Sequence, residues 1–218
     1  GVRVFDMTLA MVGPTATKQL GSMGADIIHI EAPETVRPIA GVPPNIKGVS
    51  IGYINWNLNK RGIILDLKEK QDRDVAYKIL KTCDLFVVNM RTGAADRLGM
   101  GYADVSRVNP RIVYIDSTGY GRTGPMASTP GADTQIQAFG GWSSISGDHP
   151  DAKGQIYRHH TQLDFNTGNF IAQAALLGLL GREKTGKGQF IELSMLAAST
   201  ALQASRLSEF FATGETPP

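Results

Sequence analysis

Asp26-Ile-Ile-His-Ile-Glu31 decides the fold. Its centre is mostly apolar, with no strict alternation of apolar and polar residues, which is the pattern of a strand covered on both faces. Such a strand needs helices on either side, and the flanking sequence supplies them. Upstream, Val2-Arg-Val-Phe5 reads as a short strand, and Pro14 opens a helix that runs to about Met23 with Gly24 as its stop. Downstream, residues 32–50 hold many Pro and Gly and read as a long loop carrying Arg37. Gly62-Ile-Ile-Leu-Asp66 is then a third strand, and residues 72–82 a helix with Val75, Ile79 and Leu80 on one face. Leu85-Phe-Val-Val88 is a fourth strand, residues 102–109 a short helix closed by Pro110, and Ile112-Val-Tyr-Ile115 a fifth strand. Strands alternating with helices at this spacing imply βαβ units and a mainly parallel sheet, an α/β fold. From Gly131 onward helices dominate. Gln189-Phe-Ile-Glu-Leu-Ser194 interrupts them as a further strand, and residues 195–213 form a last helix.

Composition narrows the function classes. The 218 residues suffice for one sizeable core, and 42% are hydrophobic. The 22 basic and 20 acidic residues leave a net charge of +2, too balanced to point to nucleic acid or a membrane surface. The lone cysteine, Cys83, forms no internal disulfide, which fits a cytoplasmic protein. No signal peptide is recognisable, and the apolar run 170–180 is broken by Gln173 and too short to span a bilayer. The chain enters a strand directly from Gly1 and ends on Gly214-Glu-Thr-Pro-Pro218, so it reads as the first domain of a longer chain.

The segment His160-Thr-Gln-Leu-Asp-Phe-Asn-Thr-Gly168 carries the most chemistry. Asp164 is the only acidic residue between Asp151 and Glu183, at the mouth of an apolar, buried helix. One reading is a helix N-cap, whose oxygen accepts from first-turn amides. The other is a carboxylate nucleophile, held ionised by the helix start, with a nearby Gly leaving room for a substrate. The two are compatible.

Ligands of open α/β sheets bind beyond the carboxyl ends of the strands. Lys68 follows the third strand, Asn89 and Arg91 follow the fourth, and Arg97 lies a little further on. Three basic groups there suit phosphates or a carboxylate, or else form a solvated rim. Gly119-Tyr-Gly-Arg-Thr-Gly124 has G-x-G-x-x-G spacing, but Pro125 and Pro130 follow it, so it reads as a loop and not a dinucleotide fingerprint. His159-His160 are sequence neighbours without acidic or cysteine companions, a poor chelating pair, so no metal site is expected. Ser117, Ser143, Ser144 and Ser146 lack a nucleophile elbow. Lys184-Thr-Gly-Lys-Gly188 reads as a solvated basic turn.

Taken in order, many segments resemble one family. They are Gly1-Val-Arg-Val-Phe-Asp-Met-Thr8, Val12-Gly-Pro14, Gly24-Ala-Asp-Ile-Ile-His-Ile-Glu31, Asn59-Lys-Arg61 and Leu65-Asp-Leu-Lys68. Further along come Asn89, Asp96-Arg-Leu-Gly99, Asn109-Pro-Arg111 and the glycine loop 119–125. Asp133, Gln137-Ala138, Gly141, Asp164, Thr167-Gly168 and 182–189 complete the series. Over essentially the whole chain this resembles the class III CoA-transferases, the group of formyl-CoA transferase and carnitine CoA-transferase.

The resemblance implies a Rossmann-like large domain, of which residues 1–194 are the N-terminal part. Residues 195–218 would be a helix and linker leading to a small domain beyond the chain, in an interlocked homodimer. It implies that Asp164 is the nucleophile of a CoA transfer from an acyl-CoA to a carboxylic acid, through an aspartyl anhydride and an aspartyl-CoA thioester. Positions matching CoA contacts are Leu65, Lys68, Asn89, Met90, Arg91, Arg97, Ala132 and Asp133, with Lys68 and Arg97 at the nucleotide end. Coenzyme A is then a substrate, with no permanently bound cofactor, and neither nucleic acid nor membrane is a partner. Asp164 must be ionised to attack, so no large upward pKa shift is expected.

This chain departs from formyl-CoA transferase at Met11, where that enzyme has Gln, and at Ala32, where it has Arg. The first favours a bulkier, less polar acyl group over oxalate or formate. An aromatic residue common in the family is replaced by Ala132. The related α-methylacyl-CoA racemases carry a catalytic His there, which Ala132 cannot replace. A third reading is a non-catalytic CoA-binding subunit of a heteromeric transferase.

Overall fold

The computed structural model describes residues 1–33, 43–145 and 161–215. In chain order the elements are β1 (Arg3–Met7), α1 (Val12–Ser22), β2 (Asp26–Glu31), β3 (Asn45–Ile46), β4 (Val49–Ser50), α2 (Ile51–Trp56), β5 (Lys60–Ile64), α3 (Lys70–Leu80) and β6 (Leu85–Val88). There follow α4 (Ala94–Arg97), α5 (Tyr102–Val108), β7 (Val113–Thr118), α6 (Asp133–Phe139), α7 (Trp142–Ile145), α8 (Gln162–Thr185), β8 (Gln189–Ser194), α9 (Met195–Leu202) and α10 (Ala204–Thr213).

Three strands begin and end where the sequence places them: β2, β6 and β8. Others shift by a few residues, because strand ends follow the partner strand's hydrogen bonds. Pro14 is the third residue of α1, not its first. The segment read wholly as loop contains the β3–β4 hairpin, and α2 and α4 are short helices without a strong apolar period. The last helix is two, α9 and α10, parted at Gln203, whose side chain donates to the carbonyl of Gly140.

Six strands form one sheet in the order β5-β2-β1-β6-β7-β8, all neighbours parallel. Counted by chain order within the sheet, that is 3-2-1-4-5-6, the doubly wound Rossmann arrangement. Side chains alternate between two cores. Phe5, Phe86 and Tyr114 are paired in register and stack across three strands, with ring centroids 5.2 and 4.4 Å apart. They face α3 and α5 through Leu80 and Val105. Val4, Val87 and Ile115 point the other way, toward α1 and α8 through Leu20 and Ile171. Each fully buried side chain of this size stabilises by roughly 1.5–3 kcal/mol, enough in sum to hold a two-faced sheet.

One buried polar cluster sits inside this apolar frame. Asp6 is fully buried on β1, beside His29 on β2 and Lys60 on β5. Its Oδ2 accepts from Lys60 Nζ at 3.0 Å and from Thr17 Oγ1 at 2.8 Å, with His29 Nδ1 at 3.1 Å. Its Oδ1 accepts from the Thr8 amide and hydroxyl. Burial by itself would raise the Asp6 pKa, but Lys60, then His29 and the hydrogen bonds, outweigh it and hold the carboxyl well below the usual range.

The apolar helix α8 is not buried all round. Leu176, Leu177 and Leu180 are exposed on its outer side. No helix among the described residues is long and apolar enough to cross a membrane.

Candidate active site

The strand order reverses between β1 and β6, and the loops after these two strands part to leave a crevice. Asn89 spans it. Its Oδ1 accepts from the Leu9 amide at 2.6 Å, and its Nδ2 donates to the Leu9 carbonyl at 2.8 Å. The amide that the sequence offers as a ligand contact is therefore engaged in clamping two loops. Asn89→Ala is expected to destabilise the fold by about 1–2 kcal/mol, since it leaves both Leu9 groups unpaired. Asn89→Asp keeps the acceptor but loses the donor, so urea unfolding should place it between the two.

A cavity of about 450 Å³ opens at the crevice, with Leu9, Asn89, Arg91, Ser117, Asp133 and Asp164 in its wall. Met90 and Ala132 line it too. A second cavity of about 110 Å³ shares Leu9 and Met90 with the first and is walled by Ile30, Ala32, Leu65 and Lys68. The structure thus brings seven of the eight sequence-derived contact positions to two adjoining cavities. Arg97 lines neither; it sits exposed on α4. Met11 lines neither as well, so the less polar acyl group inferred from it has no support in these walls. Met195, at the start of α9, lines the main cavity; no short-range signal marks it, because its helix is brought there by β8.

Asp164 is not the N-cap of α8. Thr161 holds that position without a side-chain hydrogen bond, and Asp164 lies in the first turn. The capping acceptor comes instead from another helix: Asp133 Oδ2, at the start of α6, accepts from the Asp164 amide at 2.8 Å. The other Asp133 oxygen accepts from Gln137 Nε2. Asp133 is buried, so its charge lies near Asp164 with little water to screen it.

The expectation that Asp164 shows no large upward pKa shift does not hold. Burial first, and then the charge of Asp133, push its pKa up to about 7. The sequence could not show this, because the neighbouring charge comes from a distant segment.

Gly168 also serves differently from its sequence reading. A Cβ there would come within 2.9 Å of the Val12 carbonyl and 3.1 Å of Thr15 Cβ. Its small size makes room for helix α1, not for a substrate.

The glycine loop after β7 runs irregularly to Asp133, without the helix that a dinucleotide fingerprint requires. A Cβ on Gly119 would meet the Cα of Gly131 at 2.7 Å, so the loop's two ends touch. Arg122, which sequence reasoning did not single out, ties the loop down. Its guanidinium reaches Asp116 and, at 3.1 Å, Asp96, and lies over the Phe190 ring. Its amide donates to Glu192 at 2.6 Å.

Among the described residues no group of three or more His, Cys, Asp or Glu side chains is placed to hold a metal. His159, His160, Arg37 and Ser146 lie outside the described residues.

The sequence profile described as CoA-transferase family III matches residues 1–218. The succinyl-CoA:glutarate CoA-transferase of Mus musculus is 35% identical over 207 residues, covering 92% of this chain and 46% of that protein. The acetyl-CoA:oxalate CoA-transferase of Acetobacter aceti is 33% identical over 217 residues, covering 100% of this chain and 56% of that protein. The crystal structure of a CAIB/BAIF family protein from Brucella suis superposes with a TM-score of 0.91 at 27% identity, over 100% of this chain and 58% of that one. The chain spans about half the length of the curated relatives it matches.

Proposed function

Because the chain belongs to CoA-transferase family III, we propose that it carries the nucleophile and much of the CoA site of an enzyme that moves CoA from an acyl-CoA to a carboxylic acid. The observation that carries this reading is the Asp164 carboxylate in the wall of the switch-point cavity, with its own amide held by Asp133.

The Asp164 carboxylate attacks the thioester carbonyl, the C–S bond breaks, and an aspartyl acyl anhydride and CoA thiolate result. The thiolate attacks the aspartyl carbonyl, forming aspartyl-CoA thioester and releasing the first carboxylate. The acceptor carboxylate attacks that thioester, giving a new anhydride and the thiolate again. Attack of the thiolate on the acceptor's acyl carbon yields the new acyl-CoA and restores Asp164. The enzyme thioester keeps the group activated throughout. Lys68 and Arg97 take the nucleotide end of CoA, Arg91 serves its phosphates, and Leu65, Asn89, Met90, Ala132 and Asp133 shape the way to Asp164. Removing Arg91 is expected to raise the KM for acyl-CoA about tenfold, with the loss shrinking as salt screens the phosphates.

A homodimer belongs to this reading, supported by the exposed leucines of α8. So does a cytoplasmic setting, supported by the single, buried Cys83.

The test is mass spectrometry of the intact protein after incubation with a panel of acyl-CoAs and trapping with hydroxylamine or borohydride. A CoA-dependent change at Asp164 supports the reading. Exchange of the substrate's α-proton with deuterated water, without any adduct, overturns it in favour of racemase chemistry. Since Asp164 attacks as the anion, the rate of its modification should rise with pH through about 7. Asp133→Asn, which keeps an acceptor for the Asp164 amide but removes the charge, should move that limb to lower pH. The move should be partial, because burial is the larger cause.

A further inference from the structure

Two hydroxyls beside the main cavity have no hydrogen-bond partner. Ser117, at the end of β7, is 2% exposed, and its Oγ is unpaired. The Thr92 Oγ1, in the loop after β6, is likewise buried and unpaired. Both residues line the main cavity. Buried hydroxyls in native proteins are nearly always paired, and one left alone is held at a penalty that a partner relieves. Both residues border the cavity, so what fills it is the partner nearest to hand.

The chemistry of that partner follows from position. Along the sheet the strand order is β5-β2-β1-β6-β7. Lys68 follows β5, Arg91 and Thr92 follow β6, and Ser117 is the last residue but one of β7, which leads through the glycine loop to Asp133, whose carboxylate holds the Asp164 amide. The hydroxyls therefore lie between the basic rim suited to phosphates and the carboxylate suited to a thioester. Between the phosphates and the sulfur of a CoA thioester runs a neutral arm with amide groups. A hydroxyl both donates and accepts, and so matches an amide N–H or C=O without needing charge.

Building on the CoA-transferase reading, we propose that Ser117 and Thr92 bind the amides of the pantetheine arm. They set the depth at which the thioester reaches Asp164.

The assignment makes an unusual demand: the hydroxyls matter to the complex and not to the free fold. Ser117→Ala and Thr92→Val, made singly and together in the intact protein, should leave the thermal stability of the free protein unchanged or raised. Titration calorimetry, in an Asp164→Asn background that prevents turnover, should show Kd for CoA and for pantetheine rising about five- to tenfold per hydroxyl. Kd for adenosine 3′,5′-bisphosphate, which lacks the arm, should not change. Lower stability of the free variants overturns the assignment, because the hydroxyls would then have structural partners. Unchanged CoA and pantetheine affinity overturns it too, as does an equal loss for the bisphosphate. If the parent protein binds no CoA at all, the transferase reading fails first and this assignment with it.

Discussion

Asp164→Asn is expected to abolish CoA-dependent modification of the protein and to lower CoA-transfer turnover by at least about a thousandfold. The same variant should be more stable than the parent above pH 7. Asp164 pKa is pushed up to about 7 in the folded chain, by burial first and by Asp133 second. The unfolded value is near 3.9. Between these two pH values the folded state binds more protons than the unfolded one, so the parent loses stability as pH rises from about 4 to about 7. Asparagine does not titrate and escapes that loss. Roughly 2–4 kcal/mol should separate the two proteins at pH 8, and little at the acid end, in thermal unfolding followed at several pH values. A gap that does not change with pH would show that the Asp164 carboxylate is under no such strain. Under the proposed reading of Asp164 as the nucleophile, the same strain would be relieved when the carboxylate becomes a neutral acyl group.

Asp6→Ala should produce the largest loss of stability, about 3–5 kcal/mol, because it strands a buried ammonium. Lys60's side chain is 2% exposed and sits 3.0 Å from Asp6 Oδ2. Burial lowers the Lys60 pKa even with Asp6 present, and Asp6 opposes that fall. Without Asp6 it falls further below the unfolded value, so the folded state binds fewer protons than the unfolded one in that range. Stability of the variant should accordingly increase with pH there, the reverse of Asp164. Guanidinium unfolding at neutral and alkaline pH reads this directly. Adding Lys60→Met to Asp6→Ala should recover most of the loss, as replacing both members of a buried ion pair by apolar residues often does. Failure of that double variant to recover would place the defect in Thr8, Thr17 and His29, not in the unpaired charge.

Much of the fold was legible because its signals are local. The runs at 26–31, 85–88 and 189–194 are short and centred on Ile, Leu, Val or Phe, and they became strands with those limits. The helices α2 and α4 escaped because six and four residues hold too few positions for a period to show. The last helix was read as one because Gln203 is an ordinary helix former; only its reach to Gly140 makes it a break.

Which residues line the two cavities was more legible than what each does there. Asp164, Asp133, Asn89, Arg91 and Lys68 reach the two cavities. Yet Asn89 clamps a loop, Asp133 caps the helix of Asp164, and Gly168 admits a helix.

The sequence by itself determined the alternation of strands and helices, the parallel character of the sheet, and the single acidic residue at the head of the long apolar helix. Periodicity and turn residues act within a few positions, and a linear reading captures them. Only the tertiary structure decided what charge Asp164 carries, which carboxylate Lys60 answers, and which hydroxyls stay unpaired. The Asp133–Asp164 contact joins residues 31 positions apart, and the Asp6 cluster joins three strands. Desolvation and Coulomb interaction depend on distance through space, and the chain sets those distances only after the sheet has assembled.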